Sequence, residues 1–183
     1  RQSEDARVRL VDSGHGPTGT FTSASVASLP APAARYFRHV LTDGQPLVTT
    51  ASFTQDGEFR LGESESTWSR MTATQRFAVR EPGFVWDARI SAIPLLPVFV
   101  RDSYVRGTAG MTASLLGLYS VMDAQPSADL NAGALQRYLA EAVWFPTALL
   151  PASGVVWDSI DDRSARATLT DHGTTVSLDF HFN

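Results

Sequence analysis

Four charged residues interrupt two apolar stretches between positions 82 and 107, and their types and spacing are the best suited to chemistry in this chain. Asp87 and Arg89 lie in the first stretch, and Arg101 and Asp102 lie in the second. An arginine beside a carboxylate can bind an anionic or carbonyl group through its planar guanidinium. The same residues are also typical of an ion pair between neighbouring strands. The pattern therefore predicts either the polar floor of a ligand site or a charge pair that fixes strand register.

The pairing register of these two stretches partly distinguishes a ligand site from a charge pair between strands. If they form neighbouring antiparallel strands, like charges directly opposite each other would be destabilising. Two of the nearest registers avoid this, one with Asp87 opposite Arg101 and one with Arg89 opposite Asp102. Either register gives an ordinary cross-strand ion pair. Arg89 and Arg101 would then matter for function only if they point into a cavity.

A second group of candidates surrounds these charges. Trp144 lies nearly opposite the apolar stripe of a predicted helix, so its indole either borders a cavity or packs as a cap. Glu141 follows Arg137 by four residues, which is typical of a solvated helix pair but would also suit an acid in a pocket. The predicted ligand-binding residues are Trp86, Arg89, Arg101, Tyr104 and Trp144, and the candidate catalytic residues are Asp87, Asp102 and Glu141.

Composition excludes several classes of function. All 15 basic residues are arginine, which removes lysine Schiff-base chemistry. A net charge of -4 argues against nucleic acid as a partner, because phosphate binding needs a basic surface. The chain has no cysteine, so it has neither disulfides nor thiolate sites, and the compartment stays open.

Metal and cofactor motifs are also missing from the sequence. The four histidines show no metal-binding spacing, and the acidic group at 158–162 lacks the pattern of a calcium loop. No nucleophile elbow, phosphate loop or dinucleotide fingerprint is present. The apolar run at 93–100 is far shorter than the roughly 20 residues that span a bilayer. We therefore predict no metal, no cofactor and no transmembrane segment in this chain.

The elements that must position these residues are those of an α+β fold. Periodicity predicts one helix after Leu29 that stops at Asp43-Gly44, and a second that is capped by Asn131 and ends before Pro146. The remaining stretches alternate with a period of two, and no strand-helix-strand order is present. We expect a large curved, mostly antiparallel sheet, similar to a half-barrel, with the two helices packed on one face.

The strands are predicted from alternation and from turn residues. A hairpin with a turn at residues 55–57 precedes a strand near 71–79. The charged strands follow at about 83–91 and 98–106, and then a long strand bends at Gly117. Three short strands after the second helix are separated by turns at 161–162 and 172–173. We predict that residues 1–28 form a loosely structured lead-in with little core. Residues 29–183 are predicted to form a single domain.

Several ordered motifs carry a resemblance to a known family. The stretches LPAPAARYFRHVL, PGFVWDAR, VRDSYVRG and LQRYLAEAVWFPTALLP resemble bacterial proteins of unknown function of the DUF6544 (formerly DUF6920) type, over roughly residues 29–182. That resemblance implies no activity or catalytic residue. Members look longer than this chain, which implies further strands after Asn183. The strand pattern also resembles lipoprotein-sorting and lipid-carrier half-barrels, in which a curved sheet wraps helices around an apolar cavity.

Three functional hypotheses follow from these residues. The first is a domain that binds an apolar or amphipathic small molecule in a cavity between sheet and helices. The second is a hydrolase or lyase that uses a pocket carboxylate as general acid or base beside an arginine. The third is an assembly module whose last strand pairs with a second polypeptide.

Overall fold

The structure, a computed structural model, describes residues 19–60, 68–93 and 96–183 of the chain. In this part of the chain the two α-helices are α1 (Ala31–Val40) and α2 (Ala128–Glu141). The strands are β1 (Thr50–Arg60), β2 (Trp68–Ala78), β3 (Gly83–Ile93), β4 (Leu96–Val105), β5 (Thr108–Leu115), β6 (Tyr119–Ala124), β7 (Val156–Ser159), β8 (Ser164–Asp171) and β9 (Thr174–His181).

The strands form two antiparallel sheets. Strands β1 to β6 pair in sequence order into an open six-stranded meander, which we call the large sheet. Strands β7 to β9 form a separate three-stranded sheet after α2. The predicted α+β class is confirmed, with the difference that the last three strands form a sheet of their own.

The core fills the space between the large sheet and the helices. Helix α2 packs against β3, β4 and β5 of the large sheet and against β9 of the small one, and α1 packs against β8. At the centre Phe77 lies 4.7 Å from Phe145 and 6.1 Å from Tyr138, measured between ring centroids. All three side chains are buried. We call the face of the large sheet that meets α2 the inner face, and the opposite one the outer face.

Both helices begin where the sequence supplies a start signal. Helix α1 begins after Pro30 and carries a second proline in its first turn, where the missing N–H costs no hydrogen bond. Helix α2 is capped by Ser127, whose Oγ accepts a hydrogen bond from the N–H of Leu130 at 3.1 Å. The predicted cap at Asn131 is wrong. Asn131 lies inside the helix, and its side chain instead accepts a hydrogen bond from the N–H of Ala109 at 2.8 Å.

The hairpin predicted with a turn at residues 55–57 is also wrong. These residues continue β1, and each pairs with β2, where Gly57 lies opposite Met71. Eleven consecutive residues of β1 pair with β2, and this long ladder outweighs the local preference of Asp56-Gly57 for a turn.

The lead-in segment contributes to the core more than its composition suggests. Residues 1–18 lie outside the described part of the chain. Phe21 and Val26, however, are buried in the main core, and Val26 belongs to a short 3-10 helix at Ser23–Val26. Two large apolar side chains among many polar ones give no clear periodicity, so the sequence did not predict their burial.

Turns hold the two sheets together at one end of the molecule. Gly107, in the turn between β4 and β5, has a φ of 76° and faces His172 in the turn between β8 and β9. A Cβ on Gly107 would lie 2.4 Å from the Cβ of His172, which is far inside van der Waals contact. Only glycine lets these two turns approach so closely.

We therefore expect Gly107→Ala to destabilise the fold more than an ordinary glycine substitution. The matched control is Gly173→Ala, because Gly173 has a φ of 80° but open space around it. The control should lose about 1–2 kcal/mol of unfolding free energy through backbone strain alone. Urea denaturation should show a clearly larger loss for Gly107→Ala, and equal losses would contradict the close packing of the two turns.

Candidate functional site

A groove with a volume of about 920 Å³ crosses the outer face of the large sheet. Side chains alternate between the two faces of each strand, so the residues that point into the groove are those not used in the core. Asp87 and Arg101 line the groove, whereas their neighbours Trp86 and Asp102 point to the inner face, where Asp102 contacts Arg137 of α2. The groove therefore lies on the side of the sheet that carries no helix of the described part of the chain.

Two rows of side chains cross the strands along the groove floor. Strand register places the members of each row opposite one another from β1 to β5. The first row is Asp56, Thr72, Arg89, Phe99 and Ser114, and the second row is Thr54, Thr74, Asp87, Arg101 and Thr112. Hydroxyl groups thus surround two arginines and one exposed aromatic ring.

The second row contains the predicted ion pair. Asp87 lies directly opposite Arg101, as one of the two favoured registers required. The Nε of Arg101 donates a hydrogen bond to Oδ1 of Asp87 at 2.7 Å, and its Nη2 also contacts this oxygen. Both side chains are about 20% exposed, so water screens the pair only in part. This pair fixes the register of β3 and β4.

The first row contains the second arginine of the groove, Arg89. Arg89 lies between Thr72 and Phe99, and not opposite Asp102 as the other favoured register would have it. Its side chain is exposed, and it forms no ion pair or hydrogen bond with any residue that the structure describes. Phe99 beside it is 39% exposed. Asp56, at the end of the row, is paired with Arg70 at 3.5 Å. Arg89 is therefore available to a ligand.

A family of unknown function, DUF6920, matches residues 27–183. The chain belongs to this family. The predicted resemblance is thus confirmed. No curated protein and no solved structure matches the chain.

Three predicted ligand residues of this DUF6920 domain lie away from the groove. Trp86 and Tyr104 are buried on the inner face. The hydroxyl of Tyr104 donates a hydrogen bond to Asp171 at 2.8 Å. Burial raises the pKa of Tyr104, and Asp171 raises it further, so this hydroxyl stays a donor. Trp144 is 48% exposed and packs edge to face on Phe53. Only Arg89 and Arg101 of the predicted set share the groove.

The other two candidate carboxylates meet on the inner face of the DUF6920 domain. Arg137 donates hydrogen bonds to Asp102 at 2.5 Å and to Glu141 at 3.0 Å. Gln75, which is fully buried, donates to Glu141 at 2.6 Å. The guanidinium of Arg137 also lies 5.2 Å from the ring centroid of Trp86. We call Gln75, Asp102, Arg137 and Glu141 the inner network.

The inner network has the features of a structural network. Both carboxylates are held by the same arginine, so neither is a free acid or base in the arrangement described. Asp87 is likewise held by Arg101 on the other face. The sequence signal for this network was Gln75, a polar residue at an inward position of β2 between Ala73 and Phe77. A polar residue there requires partners in the core.

The described residues of the DUF6920 domain contain neither a candidate metal site nor a candidate membrane-spanning helix. Among them, no group of three or more histidine, aspartate or glutamate side chains could hold a metal ion. No helix in the described ranges is both long enough and apolar enough to cross a bilayer.

Proposed function

We propose that this domain binds an amphipathic small molecule with an anionic group in the groove on the outer face of the large sheet. The observation that carries the proposal is Arg89, an exposed arginine on the floor of a groove of about 920 Å³, without an ion-pair partner among the described residues. A groove of this size is within the range of small-molecule sites.

Arg89 provides the anionic contact. A guanidinium is always charged and presents donors in a planar fork that matches a carboxylate, sulfonate or phosphate. The nearby charges are already compensated, since Arg101 is paired with Asp87 and Asp56 with Arg70. Among the described residues that line the groove, Arg89 is thus the positive charge without an ion-pair partner, and an entering anion can pair with it.

Phe99 provides the apolar contact. It lies directly opposite Arg89, so a molecule held by its anionic group at Arg89 would place its neighbouring atoms on the ring. Gly117 lies beside the ring, since a Cβ at this position would be 3.9 Å from Phe99. Threonine and serine hydroxyls of the two rows can donate or accept hydrogen bonds with polar atoms of the ligand. The ligand is therefore amphipathic.

The proposed ligand is amphipathic, as inferred from the sequence, but its proposed site lies on the outer face of the large sheet. The space between the large sheet and the helices, where the sequence suggested a cavity, holds the aromatic cluster of Phe77, Tyr138 and Phe145. The outer face has open volume next to Arg89 and Arg101. This open volume supports placing the proposed site on the outer face.

Replacing Arg89 by glutamine should weaken the binding of an amphipathic anion. We choose 8-anilinonaphthalene-1-sulfonate as the probe, because it joins a sulfonate to aromatic rings. Loss of a charge-assisted hydrogen bond should raise its Kd by about 10- to 100-fold, as measured by isothermal titration calorimetry.

The matched control is Arg76→Gln. Arg76 is also exposed on the outer face of β2 but does not line the groove. The control should bind the probe as the unmodified chain does. Equal losses in the two variants would show a general charge effect, and no loss in Arg89→Gln would remove Arg89 from the site.

A further inference from the structure

The groove on the outer face is rich in side-chain hydroxyl groups. Sites for mostly apolar ligands are lined predominantly by hydrophobic and aromatic side chains. Among the described residues that line this groove, Phe99 is the one aromatic residue. Five lining residues carry a hydroxyl group, and we call them the hydroxyl set: Thr54, Thr72, Thr74, Thr112 and Ser114.

The hydroxyl set is not hydrogen-bonded within the described protein. Thr54 lies directly opposite Thr74, yet no hydrogen bond joins their side chains. The same holds for the other three members, whose hydroxyls bond to no residue that the structure describes. A serine or threonine hydroxyl can donate one hydrogen bond and accept two. The hydroxyl set can therefore both donate to and accept from a bound molecule.

The small sheet shows that strand hydroxyls in this protein do pair when no ligand site is involved. On its exposed face the Oγ1 of Thr168 lies 2.9 Å from the Oγ of Ser177, across β8 and β9. Two residues further along, the Oγ1 atoms of Thr170 and Thr175 are also 2.9 Å apart. Opposed hydroxyls thus satisfy each other on the small sheet, whereas those of Thr54 and Thr74 in the groove do not.

We propose that the ligand of the groove is an acidic sugar, a pyranose ring that carries a carboxylate. This inference rests on the proposed function, because it uses the same groove and the same anion contact at Arg89. A sugar ring has hydroxyls around its edge and C–H groups on its faces. The hydroxyls would bond to the hydroxyl set, and one C–H face would pack on Phe99, which lies opposite Arg89. Threonine suits such a ring because its Cβ carries both a hydroxyl and a methyl group.

The charges of the groove favour a carboxylate over a phosphate ester. A phosphate monoester carries close to two negative charges at pH 7. Arg89 can compensate one charge, since Arg101 is already paired with Asp87. Asp87 lies two residues from Arg89 on the same face of β3, roughly 7 Å away, and would repel a second negative charge. A single carboxylate avoids this repulsion.

The size of the groove floor suits a short sugar chain. The first row runs from Thr72 to Ser114 across four neighbouring strands, which is roughly 14 Å. The second row lies two residues along each strand, roughly 7 Å from the first. A ring held at Arg89 and Phe99 covers the middle of the first row. Further sugar units would extend along the row towards Thr72 or Ser114.

Three probes with a six-membered ring separate an acidic sugar from a simple amphipathic anion. Cyclohexanecarboxylate has the carboxylate without hydroxyls, D-glucose has the hydroxyls without a carboxylate, and D-glucuronate has both. Two or more additional hydrogen bonds should give D-glucuronate a Kd at least about tenfold lower than that of cyclohexanecarboxylate. D-Glucose should also bind at least about tenfold more weakly than D-glucuronate, because it lacks the contact with Arg89. NMR titrations of the isotope-labelled chain give the three values.

The double substitution Thr72→Val and Thr74→Val removes two hydroxyls but keeps the branched shape of the side chains and their preference for strands. It should raise the Kd of D-glucuronate by about tenfold and change that of cyclohexanecarboxylate by less than about twofold. The matched control is Thr170→Val with Thr175→Val, since both threonines are exposed on the small sheet. The control should bind D-glucuronate as the unmodified chain does.

The outcomes distinguish failure of the sugar from failure of the groove. Equal Kd values for D-glucuronate and cyclohexanecarboxylate would overturn the acidic sugar and leave the groove in place. Unchanged D-glucuronate binding in the Thr72→Val, Thr74→Val variant would do the same. If D-glucuronate, cyclohexanecarboxylate and 8-anilinonaphthalene-1-sulfonate all fail to shift the signals of groove residues, both the proposed function and this inference are wrong.

Discussion

Replacing Arg137 by methionine should lower the free energy of unfolding by about 3–5 kcal/mol, the cost typical of removing one partner from a buried ion pair. Arg137 holds Asp102 and Glu141 on the inner face, and their side chains are only 12% and 17% exposed. Methionine keeps an apolar stem against Phe84 and Trp86 but leaves two carboxylates without a cation. Urea denaturation followed by circular dichroism gives the value.

The control for this prediction is Arg38→Met. Arg38 is an exposed arginine of α1, and its substitution should change stability by no more than about 0.5 kcal/mol. Adding Asp102→Asn and Glu141→Gln to Arg137→Met should recover much of the loss, since no buried charge then remains. A loss below about 1 kcal/mol in Arg137→Met would show that the inner network does not stabilise the packing of α2 on the sheet.

The second large effect should come from filling the groove. Thr74 lies in the second row on β2, opposite Thr54 on one side and Asp87 on the other. A tryptophan there would occupy the volume next to Arg89, its diagonal neighbour on β3, so 8-anilinonaphthalene-1-sulfonate should no longer bind in calorimetry. The position is exposed and tolerates an aromatic residue in a strand, so stability should change by only about 0.5 kcal/mol.

The same substitution two residues along β2 provides the comparison. Arg76→Trp places an indole on the same strand and face but outside the groove, and it should leave probe binding intact. Unchanged binding in Thr74→Trp would contradict the location of the site. Loss of binding in both variants would point to a general disturbance of β2.

The sequence predicted the architecture where periodicity was strong. The α+β class, the positions of α1 and α2 and the three last strands follow from spacing and turn residues. The Gln55-Asp56-Gly57 turn failed because pairing along the whole of β1 overrides a local turn preference. The Asn131 cap failed because Ser127, one turn earlier, already supplies the capping oxygen.

The candidate site was predictable in its charges but not in its volume. Avoidance of like charges left two registers open, and the structure has the one with Asp87 opposite Arg101. Alternation also placed Arg89 on the face opposite Trp86. The sequence could not show that α2 packs on the face opposite Arg89, because the side on which α2 packs depends on contacts far apart in the chain, such as Arg137 with Asp102. The groove itself depends on the pairing of strands β1 to β5, whose residues line it.

The most direct test of the groove is a titration of the isotope-labelled chain with 8-anilinonaphthalene-1-sulfonate, followed by amide and arginine Nε–H signals in two-dimensional NMR. The account predicts the largest shifts at Thr72, Thr74, Arg89 and Phe99, with small shifts in α2. Shifts confined to α2 and the inner face would contradict it. So would shifts confined to Trp68, Leu118 and Tyr119, which do not line the groove.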